Sequence, residues 1–338
     1  MKTSFIAVAL ATILLLGCSG CGTQRKTTAD SLQKSKCLEE LNAIPEMSDL
    51  RKSRKKAQEE INPKLFEGLE LALTIDGMIT SQVNSEINPD DLCYAQDTRE
   101  NFDNLVKALA ANQMPPTVDF ITGDRFDVVL QTEWLKSGNL LGNFTYDRRK
   151  AKKNNAKEFI ENIARNDQLI APLWKSFPPK RKYFRYPYLK TIGDGADSEM
   201  IKAYLKQSGH VVVPTTIDAQ DGLLIQMYCG AQAKGDSNCV NLIKANFFSL
   251  LLDTTVKARA IAKEIAGREV KHILVIRANQ LTCDTLAEMI AWFKGLGARF
   301  ISLDEALSDP FYMDDGRMSA ANRVLRETRD AQVGAERK

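Results

Sequence analysis

The stretch LALTIDGMIT, residues 71–80, decides how the chain is read. Apolar and β-branched residues lead up to Asp76, and Gly77, Met78 and Ile79 follow. A short continuous apolar run of this kind predicts a buried strand that delivers an acid at its C-terminal end. Working outward, six further runs have the same character: TVDFIT (117–122), NLLGNF (139–144), KYFRYPY (182–188), HVVVPTTID (210–218), HILVIRA (272–278) and ARFISL (298–303). Amphipathic stretches separate most of them, among them ENFDNLVKALAA, DVVLQTEWLKSG, AKEFIENIARNDQLIAPLW and DTLAEMIAWFKGLG. Strands alternating with helices predict an α/β fold with a parallel sheet and crossover helices, long enough here to close as a barrel. Reactive side chains of such a barrel gather at the C-terminal ends of its strands.

The barrel is expected over residues 66–312, with a helical excursion at 223–266 between two of its strands. Ahead of it, residues 18–65 read as a polar, lysine-rich tether with helical segments. Behind it, residues 313–338 read as a charged tail that forms a loosely docked helix. Hydrophobic residues make up 44% of the chain and the net charge is +3, with acids and bases interleaved. That balance argues against a nucleic-acid partner, which would demand positive charge concentrated on one face. The dense run Arg51–Lys56 (RKSRKK) is followed by Glu59 and Glu60 and reads as a solvated helix face. Histidine is scarce, with His210 and His272 alone. Both fall at or near the starts of their strands, the wrong end of a barrel for catalysis. A site needing two histidine metal ligands and a third as acid would have run out of residues.

Residues 1–17 read as an export signal: one lysine, then an apolar run from Phe5 to Leu16 too short to anchor a bilayer. Leu15-Leu16-Gly17-Cys18 resembles the bacterial lipobox, which implies cleavage before Cys18 and lipidation of its sulfur. The expected product is an exported lipoprotein held at a membrane through Cys18, in the periplasm or at the cell surface, and Ser19 favours the outer membrane. An oxidising compartment permits disulfides. Closing the loop between Cys229 and Cys239 would contribute about 3 kcal/mol, so that bridge is expected, with Cys37–Cys93 as a second pairing. No C-x-x-C pair occurs downstream of the lipid site, so these cysteines are not expected to hold zinc.

Taken in order, the strand ends read TIDG, GNFTYD, FRYPY, TIDAQDG and LVIRAN. This series resembles the polysaccharide deacetylases, the NodB-homology domain of carbohydrate esterase family 4, over residues 69–312. FRYPYL and the closing GARFISLDEALSDPFY (297–312) carry the resemblance most specifically. It implies an irregular (β/α) barrel, a divalent metal that is usually zinc, and removal of acetyl groups from N-acetylated sugars. Carried over by position, Asp76 stands where the family has its general base, Arg185 where an arginine orients that base, and Asp221 where an acid steers the catalytic histidine. Tyr186, Pro187 and Tyr188 stand for the groove wall.

The metal-ligand positions, however, hold Gly77, Phe144 and Arg148, and the acid histidine is Arg277. A guanidinium cannot give up a proton near neutrality. Only Asp76, Asp147 and Asp221 remain as hard ligands, and no metal cofactor is expected. Losing the metal and one carboxylate while gaining two arginines should leave the local charge positive, with Arg185 paired to Asp76 and Arg277 to Asp221. Trp134, Trp174, Trp292 and the run Phe247–Leu252 are expected in the core, and Ser137 and Ser302 lack a histidine partner. The expected function is therefore a non-catalytic envelope protein that binds a glycan such as peptidoglycan, or a protein partner. A working deacetylase of unconventional chemistry and a purely structural scaffold are the alternatives.

Overall fold

The computed structural model describes residues 36–45, 47, 62, 64–77, 98–191, 195–312 and 317–333. The signal segment, Cys18, the basic run Arg51–Lys56 and Cys93 lie outside the described residues.

Eight strands form one parallel sheet: β1 (Glu70–Asp76), β2 (Val118–Ile121), β3 (Leu140–Asn143), β4 (Lys182–Phe184), β5 (His210–Val212), β6 (Ile217–Asp218), β7 (Lys271–Arg277) and β8 (Arg299–Phe300). Their order is β5-β4-β3-β2-β1-β7-β6, and β8 pairs with β1. β1 and β7 run in register along their whole length, from Glu70 opposite Lys271 to Asp76 opposite Arg277. Each has five consecutive buried residues, as strands covered on both faces must. β8 pairs with Glu70 and Leu71 at the start of β1, and β2 takes over from Thr74. At Gly142 of β3 a Cβ would stand 2.6 Å from the Phe120 ring, so the position suits glycine. The result is the parallel, helix-backed curve of an irregular barrel.

HVVVPTTID does not make one strand. It splits into β5 and β6, which occupy opposite ends of the strand order. Pro214 falls between them and has no N–H to donate to a ladder, so the run breaks there.

The helices are α1 (Thr98–Ala111), α2 (Val128–Lys136), α3 (Ala156–Ser176), α4 (Ala196–Gln207), α5 (Ile225–Ala233), α6 (Ser237–Ala266), α7 (Gln280–Gly295), α8 (Leu303–Leu307) and α9 (Arg317–Val333). α5 and α6 make up the excursion. Phe247, Phe248, Leu250 and Leu251 of α6 are buried, as are Trp134, Trp174 and Trp292. No helix among the described residues is long and apolar enough to cross a membrane.

Three expectations need correction. Cys239 is bonded to Cys37, with Cα atoms 5.9 Å apart, which excludes both Cys229–Cys239 and Cys37–Cys93. Cys229 is itself disulfide-bonded. The short loop expected between Cys229 and Cys239 is instead the ends of two packed helices: Cys229 lies inside α5, and Cys239 sits in the first turn of α6, where the Asp236 side chain caps its N–H at 2.9 Å. Secondly, part of the tether belongs to the core, because Cys37, Leu41 and Met47 are buried with the main apolar cluster. Thirdly, the helix expected in the tail is firmly packed and not loosely docked. α9 packs along α6 and buries Ala321, Val324 and Leu325.

Candidate functional site

The C-terminal ends of β1, β4, β6 and β7 bring together two arginine-centred clusters. Asp76 is the last residue of β1, with Phe120 and Arg277 as its register partners. Arg185 follows β4 directly. Its Nη1 donates to Asp76 Oδ1 at 2.6 Å and to Thr74 Oγ1 at 2.9 Å. Its Nε donates to the Val213 carbonyl at 3.4 Å, and the guanidinium lies 4.1 Å from the centre of the Phe120 ring. Both partners are almost wholly buried, with 1% and 8% of their side chains exposed. Burial raises the Asp76 carboxyl pKa and lowers that of the Arg185 guanidinium, in each case against the attraction of the partner. Arg185 Nη2 is buried with no hydrogen-bond partner.

The second cluster centres on Arg277, the last residue of β7. Its Nη1 reaches Asp218 Oδ1 at 2.8 Å and Asp221 Oδ1 at 3.1 Å, and its Nη2 reaches Asp218 Oδ2 at 3.2 Å. Arg329 of α9 adds a bond to Asp218 Oδ2 at 2.7 Å. Asn279 donates to Asp221 Oδ2 while its own carbonyl oxygen caps the N–H of Thr282 at 3.1 Å, tying the cluster to the start of α7. The two carboxyls are driven apart. For Asp218, burial is overcome by Arg277 and Arg329, which hold it at about 2. For Asp221, burial prevails over Arg277, helped by the neighbouring Asp218, and raises it to about 6.

Asp76, Asp218 and Asp221 thus face Arg185, Arg277 and Arg329. The expected positive site is a balanced one, because Asp218 and Arg329 enter it. Arg148 is exposed on the loop after β3 and joins neither cluster.

A divalent metal does not fit these residues. Gly77 offers no side chain and has φ +80°, a conformation that L side chains rarely adopt. Phe144 is buried in an apolar cluster with Phe120 and Tyr183. Asp147 is engaged by Arg149 at 3.1 Å, and Asp221 by Arg277. Among the described residues no group of three or more His, Cys, Asp or Glu side chains is placed to hold a metal. The histidines serve elsewhere. His210 bridges Asp167 at 3.1 Å and Ser208 at 2.8 Å, and buried His272 contacts Thr216 at 3.1 Å.

Of the expected groove wall, Tyr186 is buried and stacked on Phe159 at 5.9 Å, and Pro187 is also buried. Tyr188 is exposed. Sequence reasoning missed Asp218, Asn279 and Arg329. Asp218 ends the run HVVVPTTID as Asp76 ends LALTID, so the same strand-end signal could have found it. Nothing in the local sequence marks Arg329.

Residues 86–212 match the family model described as polysaccharide deacetylase. That segment of the chain is similar to polysaccharide deacetylases. The matched segment contains Phe144, Arg148, Arg185 and Tyr186–Tyr188, while Asp76, Asp218, Asp221 and Arg277 fall outside it. No curated protein sequence matches the chain. Among solved structures, a polysaccharide deacetylase from Bacillus cereus is similar with a TM-score of 0.48 and 16% identity, over 69% of this chain and 91% of that one. A CE4 family pseudoenzyme from Bacillus anthracis gives 0.42 and 12%, over 72% and 66%. A mutant of the peptidoglycan deacetylase PdaC from Bacillus subtilis gives 0.42 and 12%, over 82% and 100%. In the present chain, ion pairs occupy the C-terminal ends of β1, β4, β6 and β7.

Proposed function

We propose that this chain is an exported lipoprotein, anchored through Cys18, whose deacetylase-like domain has lost catalysis and binds a cell-envelope glycan such as peptidoglycan. One observation carries the reading. Where the family resemblance places a proton-donating histidine, the guanidinium of Arg277 is clamped between Asp218 and Asp221 at 2.8 and 3.1 Å. A permanently protonated group held by two carboxylates cannot protonate a leaving amine. Asp76, at the base position, is likewise bound through Oδ1 to Arg185, and its burial is stabilised by a cation on the protein itself. The glycan as ligand class is drawn from the resemblance to polysaccharide deacetylases.

The test combines metal content, acetate release and glycan capture on the purified protein. The expected result is far less than one equivalent of zinc, no acetate released from N-acetylglucosamine oligomers with or without added Zn²⁺ or Co²⁺, and retention on purified peptidoglycan. Stoichiometric zinc or measurable acetate would overturn the reading, and no retention on glycan would leave the domain a scaffold.

A further inference from the structure

We propose that the glycan is an anionic one, gripped by the loop after β3 together with Tyr188. The proposal rests on the glycan-binding reading and names the ligand's class. Five of the six residues Arg148–Lys153 are cations. Arg149 is committed to Asp147 at 3.1 Å and Glu158 at 3.5 Å. Arg148, Lys150, Lys152 and Lys153 are exposed, and exposed Lys157 continues the series onto the first turn of α3. Asp197 also touches the loop, accepting from the backbone N–H of Asn154 at 2.6 Å.

The loop is shaped in advance of any ligand. Asn155 accepts from the Lys152 N–H at 2.7 Å and donates to the Lys150 carbonyl at 3.2 Å, bracing the turn from inside. Arg148 and Asn154 hold left-handed φ angles of 56° and 65°. Backbone strain of this kind, about 1–3 kcal/mol per residue, persists only where the surroundings enforce it. A pre-shaped loop loses less entropy when it binds.

Tyr188 supplies what a bare basic loop lacks. Its side chain is 53% exposed, and it and Leu189 hold φ angles of 60° and 55°. Lys150 Nζ lies 4.5 Å from the centre of its ring. An aromatic surface beside ammonium groups suits a sugar ring that bears a carboxylate or phosphate, because the ring covers the C–H face and the lysines meet the charge. Cations spaced along one loop match charges repeated along a polymer. An anionic membrane would use the cations without needing Tyr188, and that difference separates the two partners.

The experiment titrates the full chain with oligogalacturonate and with a chitooligosaccharide of equal length, at low and at high salt. Tighter binding of oligogalacturonate by roughly tenfold or more is expected, weakening as salt screens exposed charges. The variant Lys152→Glu/Lys153→Glu and, separately, Tyr188→Ala should each lower that affinity by roughly tenfold, with the circular dichroism unchanged. Equal binding of the neutral and anionic oligomers would overturn this inference and leave the glycan-binding reading standing. Binding of neither would overturn both. Phosphatidylglycerol vesicles that hold the chain equally well after Tyr188→Ala, while oligogalacturonate does not compete, would assign the loop to a membrane.

Discussion

Asp76 and Arg185 are each expensive to bury, and each is tolerated because of the other. Removing one partner of a buried pair typically costs about 3–5 kcal/mol, since the remaining charge is stranded. Asp76→Ala should therefore lower the unfolding free energy by about that much in urea melts, and Asp76→Ala/Arg185→Met should recover most of the loss. Asp221 permits a finer prediction. Its carboxyl titrates at about 6 in the folded chain, above its ordinary value of 3.8. The stability it contributes is then full below about pH 4 and is lost as pH rises through 6, on the order of 3 kcal/mol. Buried His272 has the opposite sign. Burial lowers it to about 4, so its contribution is present above its ordinary value of 6.5 and lost as pH falls towards 4. The two oppose each other between pH 4 and 6, so the Asp221 effect should be read locally. A carboxyl ¹³C titration of Asp221 should show a midpoint near 6, and Arg277→Gln should move it upward by removing the cation that holds it down. A midpoint near 4 in the native chain would contradict the assignment.

At the scale of elements, α9 is the segment whose sequence was most misleading. Arg317–Val333 is rich in charge, yet Ala321, Val324 and Leu325 line its inner face. Full burial of a Val or Leu side chain stabilises by about 1.5–3 kcal/mol. Deleting residues 317–338 should accordingly unprotect amides of α6 in hydrogen exchange and expose an apolar stripe that binds a hydrophobic dye. Arg329→Ala keeps the helix but withdraws one cation from Asp218. Because Arg329 is 42% exposed, the stability change should stay within about 1 kcal/mol, while the Asp218 carboxyl titrates higher than about 2. The strands were more legible. The apolar runs ending in Asp76 and Arg277 became the full-length partners β1 and β7. HVVVPTTID was read as one strand although Pro214 has no N–H to donate, and the separation of β5 from β6 depends on which strand each one meets.

On the scale of the whole molecule, Cys37 and Cys239 staple the first described segment to the long helix α6 across 202 residues. Chain-entropy reasoning puts the effect of a closure that long at about 5 kcal/mol, an upper figure for a folded core that also buries Leu41 and Met47. Cys37→Ser should lower the melting temperature under oxidising conditions and leave it unchanged when both proteins are reduced. Spacing along the chain favoured a short loop at Cys229–Cys239, but a bridge forms where side chains meet in space.

From the sequence alone came the parallel α/β barrel and the strand ends that carry Asp76, Arg185, Asp221 and Arg277. These are legible because strand periodicity and residue chemistry are local properties. Only the tertiary structure decided that the site is electrically balanced, that Tyr186 is packing while Tyr188 faces outward, and that Arg329 reaches Asp218 across 111 positions. Charge balance and disulfide partners are set by distances between elements far apart in the chain, and those distances exist only once the helices have docked.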